Sequence, residues 1–340
     1  MKLKKKKSYS IAIAGATGLV GQELMSILEQ RNFPIEKTVL LASGDSAGER
    51  LKFCGQSMRV EELAEKWFEG MDIALFCVSA DLSEQFAPKA VKQGCIVIDN
   101  SNAFRMKPAV PLVVPEVNPD AVDNHKGLIA NPNCSTVQMV VALKPLHDVA
   151  KAKRVVVSTY QAVSGWGKGA IDELAEQVVS LFNQREFKPQ IFPHQIAFNC
   201  LPQIDVLRDG GIYKEEEKMV KETKKILDPS IDVFATCVRV PVFHCHAEAV
   251  SVEFERPITP SEARDILRNA RGVTLMDEPE KSGYPTQAKC AGTDDVWVGR
   301  IRKDPTVPHG LGMWIVSDNL RKGAALNAVQ IAELLIEKAK

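Results

Sequence analysis

The sequence predicts an α/β fold in two domains: an N-terminal Rossmann-like parallel-sheet domain, then a C-terminal α+β domain with a mostly antiparallel sheet. Three observations carry this. Near the start, a short apolar strand runs through a glycine-spaced turn into an amphipathic helix, the opening of a dinucleotide-binding unit. Beyond residue 150 the pattern changes to long β-rich runs with few helices among them. The chain has 340 residues, 45% of them apolar, which suits two cores in domains of roughly 100–200 residues each.

In chain order, Ser10 to Ala14 reads as a buried strand, and Gly15-Ala16-Thr17-Gly18-Leu19-Val20-Gly21 turns it into a helix burying Val20, Leu24, Ile27 and Leu28. Glycines in such a turn let backbone N–H groups approach a pyrophosphate at the helix N-terminus. The spacing is GxxGxxG rather than GxGxxG, so by itself the motif also fits any tight strand-to-helix turn. A second strand, Val39 to Ala42, ends in Ser43-Gly44-Asp45-Ser46, where an adenine ribose is usually met. Further parallel strands are expected at Ile73 to Val78 and Ile96 to Asp99. Ser79-Ala80 and Ser101 to Arg105 follow their carboxyl ends, where ligands bind in such sheets; a solvated Arg105 is the alternative. The β-rich half shows runs at Arg154 to Tyr160, Val233 to Val242, Glu248 to Phe254, Val296 to Ile301 and Met313 to Val316. Helices are expected at Ala170 to Phe182, at Lys214 to Ile226 facing solvent, and at Leu320 to Lys338. The stripe Ala325, Ala328, Val329, Ala332, Leu335 and Ile336 of the last should pack on a sheet, returning it to the first domain. The domains are therefore expected at 1–132, completed by 319–340, and at 133–318.

Composition narrows the function. Lysine plus arginine equals aspartate plus glutamate, 43 each, so nothing argues for nucleic acid or a membrane surface as partner. Eight cysteines without CxxC spacing fit reduced thiols, hence a cytoplasmic protein. Lys2 to Lys7 before Ile11 to Ala14 imitates a signal peptide, but glycines break the apolar centre and no cleavage site precedes the next charges. No apolar run approaches ~18 residues, so no membrane span is expected.

One thiol stands apart. In Asn131-Pro132-Asn133-Cys134-Ser135-Thr136, Asn133 is a natural N-cap and Pro132 keeps the preceding backbone out of helix. Cys134 then sits just inside a helix start, where unpaired N–H groups and the positive dipole end favour a thiolate. A small packing residue is the alternative. A thiolate nucleophile needs an acid or base partner, most often histidine. His244 and His246 flank Cys245 in Arg239-Val-Pro-Val-Phe-His-Cys-His246, on one strand face with no third ligand close in sequence, so no metal site is expected. His125, His147, His194 and His309 read as surface or packing residues.

Six segments occur in one order: Gly15-Ala-Thr-Gly-Leu-Val-Gly21, Ser101-Asn-Ala-Phe-Arg105, Asn131 to Thr136, Ser158-Thr-Tyr-Gln-Ala-Val-Ser-Gly165, Arg239-Val-Pro-Val and Asp318-Asn-Leu-Arg-Lys-Gly-Ala-Ala325. Together they resemble the bacterial type of aspartate-semialdehyde dehydrogenase, over essentially the whole chain beyond the lysine-rich start. The resemblance implies a glyceraldehyde-3-phosphate dehydrogenase-like architecture whose second domain is catalytic and dimerising. It implies Cys134 as the nucleophile that forms an acyl-thioester, His246 as the acid/base group and Gln161 positioning the substrate. Arg239 would clamp the substrate α-carboxylate, a bidentate task suited to guanidinium, and Glu215 would meet its amino group. Arg105 and Lys218 would hold phosphate, and Asn133 would border the substrate. Gly15, Thr17, Gly18, Leu19, Val20, Ser43, Asp45, Ser46, Ser164, Gly165 and Asn319 would face the nicotinamide cofactor. The substrates implied are aspartyl phosphate, or aspartate semialdehyde with phosphate. The cofactor implied is NADP, with NAD as the alternative, and the assembly a homodimer or homotetramer.

Members of that family commonly carry an arginine beside the serine after the second strand, reading the cofactor's 2′-phosphate; this chain has Asp45. Two rivals stay open. An N-acetyl-glutamyl-phosphate reductase shares the glycine turn and the cysteine, but typically has glycine before and an aromatic residue after that cysteine, against Asn133 and Ser135 here. A nucleotide-binding relative without catalysis is the other, disfavoured by Cys134, Gln161, Arg239 and His246 occurring together.

Overall fold

Tyr9–Ala14 forms β1, buried along its whole length as a central parallel strand requires. In this computed structural model, which describes residues 2–339, the turn after β1 is set by close packing. A Cβ on Gly15 (φ +87°) would lie 2.2 Å from the Cys77 carbonyl oxygen, and one on Gly21 would lie 2.1 Å from Gly15 O. Helix α1, Leu19–Gln30, buries Leu24, Met25, Ile27 and Leu28; Val20 is only half-buried.

Strand β2 spans Ile35–Ala42, four residues longer at its start than the apolar run suggests, because pairing with β1 begins at Tyr9↔Ile35. An unforeseen hairpin follows, β3 Arg50–Phe53 and β4 Gln56–Glu62. Its two-residue turn, Cys54-Gly55, takes positive φ at both positions, as such turns need. Then come β5 Ile73–Phe76, α2 Ala80–Lys92, β6 Ile96–Asp99 and β7 Leu128–Ala130. The sheet order is β3-β4-β2-β1-β5-β6-β7, parallel except for the β3–β4 pair. Alternate residues serve opposite faces. Ile11, Ile13, Leu40, Leu75 and Ile98 meet α1 and the C-terminal segment, while Ala12, Ala14, Leu41, Phe76 and Val97 meet α2.

The second sheet is built from β8 Ala152–Gln161, β9 Asp232–Arg239, β10 His246–Phe254, β11 Val273–Leu275, β12 Val296–Asp304 and β13 Gly310–Ser317. The order is β11-β12-β13-β10-β8-β9, with β8–β9 and β11–β12 parallel and the rest antiparallel. Helix α3, Cys134–Ala150, lies across β8, β10 and β13. The remaining helices are α4 Lys168–Phe182, α5 Lys214–Ile226, α6 Pro260–Arg268, the short α7 Gln287–Cys290 and α8 Leu326–Glu337. The described chain divides into two compact units: residues up to Pro132 with those from Ala324 onward, and Asn133–Gly323.

Three expectations need correction. Helix α5 is not simply solvent-facing: it buries Glu215, Met219, Glu222, Thr223 and Ile226, and carboxylates on that face find partners described below. His244 and His246 do not share a strand face, because Cys245 takes a left-handed conformation (φ +70°) and β10 begins only at His246, leaving His244 exposed. The last helix is not continuous. A π turn, Arg321–Ala325, precedes α8, and a side chain at Gly323 within it would put its Cβ 2.8 Å from Cys134 Cβ.

Candidate active site

Strand register gathers the candidate residues of the second unit. Ser317 on β13 is paired with His246 on β10, and Gln161 on β8 with Arg239 on β9. Because Ala247 pairs with Tyr160, His246 and Gln161 fall in one row, and a single cross-sheet line reads Ser317, His246, Gln161, Arg239. Above it sits the first turn of α3. The Asn133 side-chain oxygen accepts from the Ser135 and Thr136 N–H groups, the cap expected of it, and holds Cys134 as the first helical residue. Cys134 is half-buried and near enough to Arg239 to act on its guanidinium by charge.

Glu215 ties this group together. Its Oε1 accepts from Asn133 Nδ2 (2.8 Å) and Gln161 Nε2 (3.1 Å), and its Oε2 from Lys218 Nζ (3.0 Å). Burial alone would raise its pKa, but Lys218, Asn133 and Gln161 outweigh that and hold it at about 2. Lys218 also donates to Asp205 (2.8 Å); burial would lower its pKa, yet the two carboxylates raise it. Glu222, from the next turn of α5, accepts from the Asn133 backbone N–H at 2.6 Å. The other Gln161 amide atom, its oxygen, accepts from Thr159 Oγ1 (3.1 Å).

His246 and Arg239 both hang from Ala162. Arg239 Nη1 donates to the Ala162 carbonyl (2.6 Å), and His246 Nδ1 accepts from the Ala162 N–H (3.1 Å). That second bond places the imidazole proton on Nε2, which is buried with no hydrogen-bond partner. Burial and the Arg239 charge push the ring's pKa down to about 3, so it is neutral at ordinary pH. A Cβ on Gly165 would stand 3.1 Å from Arg239 Nη1 and 3.3 Å from His246 Nε2, so glycine leaves the space before these two groups open. Ser164 and Asn319, expected at the cofactor, hydrogen-bond to each other. Asn319 Oδ1 also accepts from the Cys245 N–H (2.9 Å), bracing the residue before His246.

In the first unit the glycine turn passes a test for a dinucleotide. Helix α1 starts at Gly18 with no side-chain cap and no acidic residue in its first turn, so the N–H groups around Thr17, Leu19 and Val20 and the positive helix end suit a pyrophosphate. Ser43 and Asp45 lie exposed just past β2, with Ser46 half-buried. Arg105 is buried, and its guanidinium donates to the Asn100 carbonyl (2.9 Å). Ser79, noted at a strand end, is the N-cap of α2.

Sequence reasoning missed Glu222, Ala162, Gly323 and Gln287. Gln287 Nε2 bridges the Tyr160 and Cys245 carbonyls at 3.0 and 2.7 Å. Ala162 acts through its backbone and Gln287 lies far away in sequence, so neither carries a local signal. Glu222 could have been found, since Glu215 and Glu222 are seven residues apart on one helix face.

Known proteins bear on this geometry. Residues 10–125 match the family described as semialdehyde dehydrogenase, NAD binding domain, and residues 143–322 that described as semialdehyde dehydrogenase, dimerisation domain. The chain is 55% identical to aspartate-semialdehyde dehydrogenase of Aquifex aeolicus over 97% of its own length and 98% of that protein's. It is 52% identical to the Legionella pneumophila enzyme of the same name, over 97% and 96%. Its structure is similar to aspartate semialdehyde dehydrogenase II from Vibrio cholerae complexed with ASA, at TM-score 0.95 and 48% identity, covering 98% and 99% of the two chains. It is also similar to the Candida albicans enzyme with NADP, at TM-score 0.74 and 26% identity, covering 96% and 98%. The chain thus belongs to the aspartate-semialdehyde dehydrogenase family, as an oxidoreductase with a nicotinamide-nucleotide-binding domain and a dimerisation domain.

Proposed function

We propose that the chain catalyses the reversible, NADP-dependent reductive dephosphorylation of L-4-aspartyl phosphate to L-aspartate 4-semialdehyde, as a step in lysine, threonine, methionine and diaminopimelate biosynthesis. The observation that carries it is Cys134 at the start of α3, next to a buried Arg239 and accompanied by a His246 whose Nε2–H has no partner. Gly15, Thr17, Gly18, Leu19 and Val20 would hold the pyrophosphate, and Ser43, Asp45 and Ser46 would meet the adenine ribose.

Cys134 attacks the acyl phosphate as thiolate, and the C–S bond forms as the carbonyl electrons move to oxygen. His246 holds that oxyanion with a hydrogen bond from its Nε2–H, and return of the electron pair breaks the C–O bond and expels phosphate, which takes its proton from solvent, leaving the thioester. A nicotinamide cofactor, held by the glycine turn from Gly15 to Val20, would supply the hydride needed to reduce the thioester. The resulting thiohemiacetal oxyanion, again held by His246, collapses to the aldehyde and releases the Cys134 thiolate. Because a thiolate enters and leaves, a neutral histidine that donates a hydrogen bond from Nε2 suffices to hold each oxyanion, and its proton stays on that nitrogen. Arg239 retains donors beyond its bond to Ala162 and clamps the α-carboxylate. Glu215 already accepts three hydrogen bonds, leaving about one of its four lone-pair sites for the substrate amino group. Lys218 has two of its three N–H donors engaged, leaving the third for phosphate, the ligand also proposed for Arg105. The protein would act as a homodimer or homotetramer in the cytoplasm.

The test is initial-rate turnover with aspartate semialdehyde, phosphate and NADP, repeated with NAD and with N-acetylglutamate semialdehyde. The expected result is turnover with the aspartate compound and NADP. Preference for the acetylated substrate, or no turnover with either, overturns the proposal.

A further inference from the structure

One turn behind Cys134 on α3 stands Gln138, and two residues past His246 on β10 stands Glu248. They repeat the front pair one tier deeper. The row behind the catalytic row reads Ile315, Glu248, Thr159, Cys237 by strand register. Glu248 is 0% exposed and Gln138 1%. No hydrogen bond of good geometry reaches either carboxyl oxygen of Glu248 or either amide atom of Gln138, although the Gln138 amide stands close enough to act on the carboxyl as a hydrogen-bond donor.

Four buried polar atoms without partners would be costly if they stayed so. Their chemistry supplies the solution. An ionised carboxylate offers only acceptors, whereas a protonated one has a donor and an acceptor matching the acceptor and donor of a primary amide. Among the described residues no lysine or arginine acts on Glu248, and burial drives its pKa well up. The other groups on its face are His246, neutral as described, and Cys237, whose thiol burial keeps protonated.

We propose that Glu248 is an un-ionised acid paired with the Gln138 amide, and that this acid–amide pair is a positioning element. It pins the first turns of α3 to β10, setting Cys134 Sγ against His246 Nε2. Errors of ~1 Å in such placement can cost about a hundredfold in rate. The inference rests on the nucleophile role proposed for Cys134. Two of its readouts need no substrate, so its failure and that of the reaction assignment are separable.

The experiment uses the full chain and the variants E248Q, E248L and Q138L. An infrared difference spectrum of wild type minus E248Q at about pH 8 should show the carbonyl band of an un-ionised carboxyl, far above the usual carboxylate range. Carboxylate bands alone would overturn the proposal. The pH midpoint for alkylation of Cys134 by iodoacetamide, read on the isolated peptide, should coincide in wild type and E248Q and shift in E248L and Q138L. E248Q keeps an amide-to-amide pair, so its kcat should stay within about threefold of wild type, while E248L and Q138L lose about tenfold or more with KM nearly constant. The double variant E248L/Q138L should cost little beyond either single change, as expected of one coupled pair. An E248L enzyme with wild-type kcat and alkylation midpoint, or an E248Q enzyme as impaired as E248L, would overturn it.

Discussion

The two units hold their functional residues in different ways. In the Asn133–Gly323 unit the candidate side chains interlock: Glu215 joins Asn133, Gln161 and Lys218, while Ala162 holds both Arg239 and His246. In the other unit, the nucleotide features are a backbone turn, fixed by glycines at 15 and 21, and an exposed loop carrying Ser43 and Asp45. A buried network resists piecemeal change, because altering one member leaves its partners unsatisfied. An exposed loop residue can change alone. On the roles proposed above, the comparison teaches that the chemistry would be locked by packing, whereas cofactor choice would be left adjustable. Substitutions in the network should therefore be severe and act on kcat; those in the loop should be mild and act on selectivity.

The largest effect tests the network at its centre. Cys134→Ala should abolish turnover while fluorescence titration shows nearly unchanged cofactor binding. Appreciable activity with the other seven cysteines in place would remove the nucleophile assignment. Next is His246→Ala, expected to lower kcat by about 10²–10³-fold, the usual cost of removing one oxyanion donor. Because the ring titrates near 3, it stays neutral at every pH above that. The wild-type kcat profile should then show no limb near the ordinary histidine value of about 6.5. A limb there that disappears in His246→Ala would mean the ring titrates during catalysis.

The same contrast explains what the sequence made legible. Strands β1, β2, β5 and β6 of the first sheet were readable because they are short apolar runs separated by glycine turns and amphipathic stretches, whereas the polar hairpin β3–β4 and the three-residue β7 were not. The cap on Cys134 was readable because Asn133 and its two acceptor bonds are local. The buried face of α5 was not, since lysines and glutamates dominate that helix, and Glu215 and Glu222 are buried with partners, Asn133 and Gln161, that reach them from distant elements. The true start of β10 escaped as well. It depends on the positive φ of Cys245, braced by Asn319 and Gln287 from far along the chain. Likewise the π turn before α8 follows from the close approach of Gly323 to Cys134, a tertiary cause.

A smaller effect probes how the network is held. Glu215 has its pKa depressed from 4.5 to about 2 in the folded protein. A depressed carboxylate stabilises the fold fully above its unfolded pKa, and that contribution is lost as pH falls through the folded value. The window is therefore about pH 4.5 down to about 2. Glu215→Gln should cost about 3 kcal/mol near neutrality, on the scale of 1.36 kcal/mol per pKa unit for a shift from 4.5 to about 2. Urea unfolding of both proteins should show the gap shrinking to about half by pH 3. A gap independent of pH would mean that the ionised form of Glu215 is not what holds Asn133 and Gln161.

The smallest effect belongs to the exposed loop. Asp45 stands in the short turn after β2, and the Glu62 carboxylate lies 3.6 Å from where a side chain on Gly44 would begin. Carboxylates there accept hydrogen bonds from a ribose 2′-hydroxyl and repel a 2′-phosphate. With the cofactor placement proposed above, Ser43 and Ser46 would donate to that phosphate, so NADP should remain usable but be only weakly preferred over NAD. Asp45→Arg should raise the NADP-to-NAD ratio of kcat/KM by about tenfold, the size of one charge-assisted hydrogen bond. Because Asp45 is exposed and takes no part in the buried network, kcat with either cofactor and thermal stability should barely move. A wild-type enzyme already preferring NADP a thousandfold, unchanged by the substitution, would make Asp45 a spectator. A large fall in kcat would break the contrast itself, because a loop residue would then reach into the chemistry.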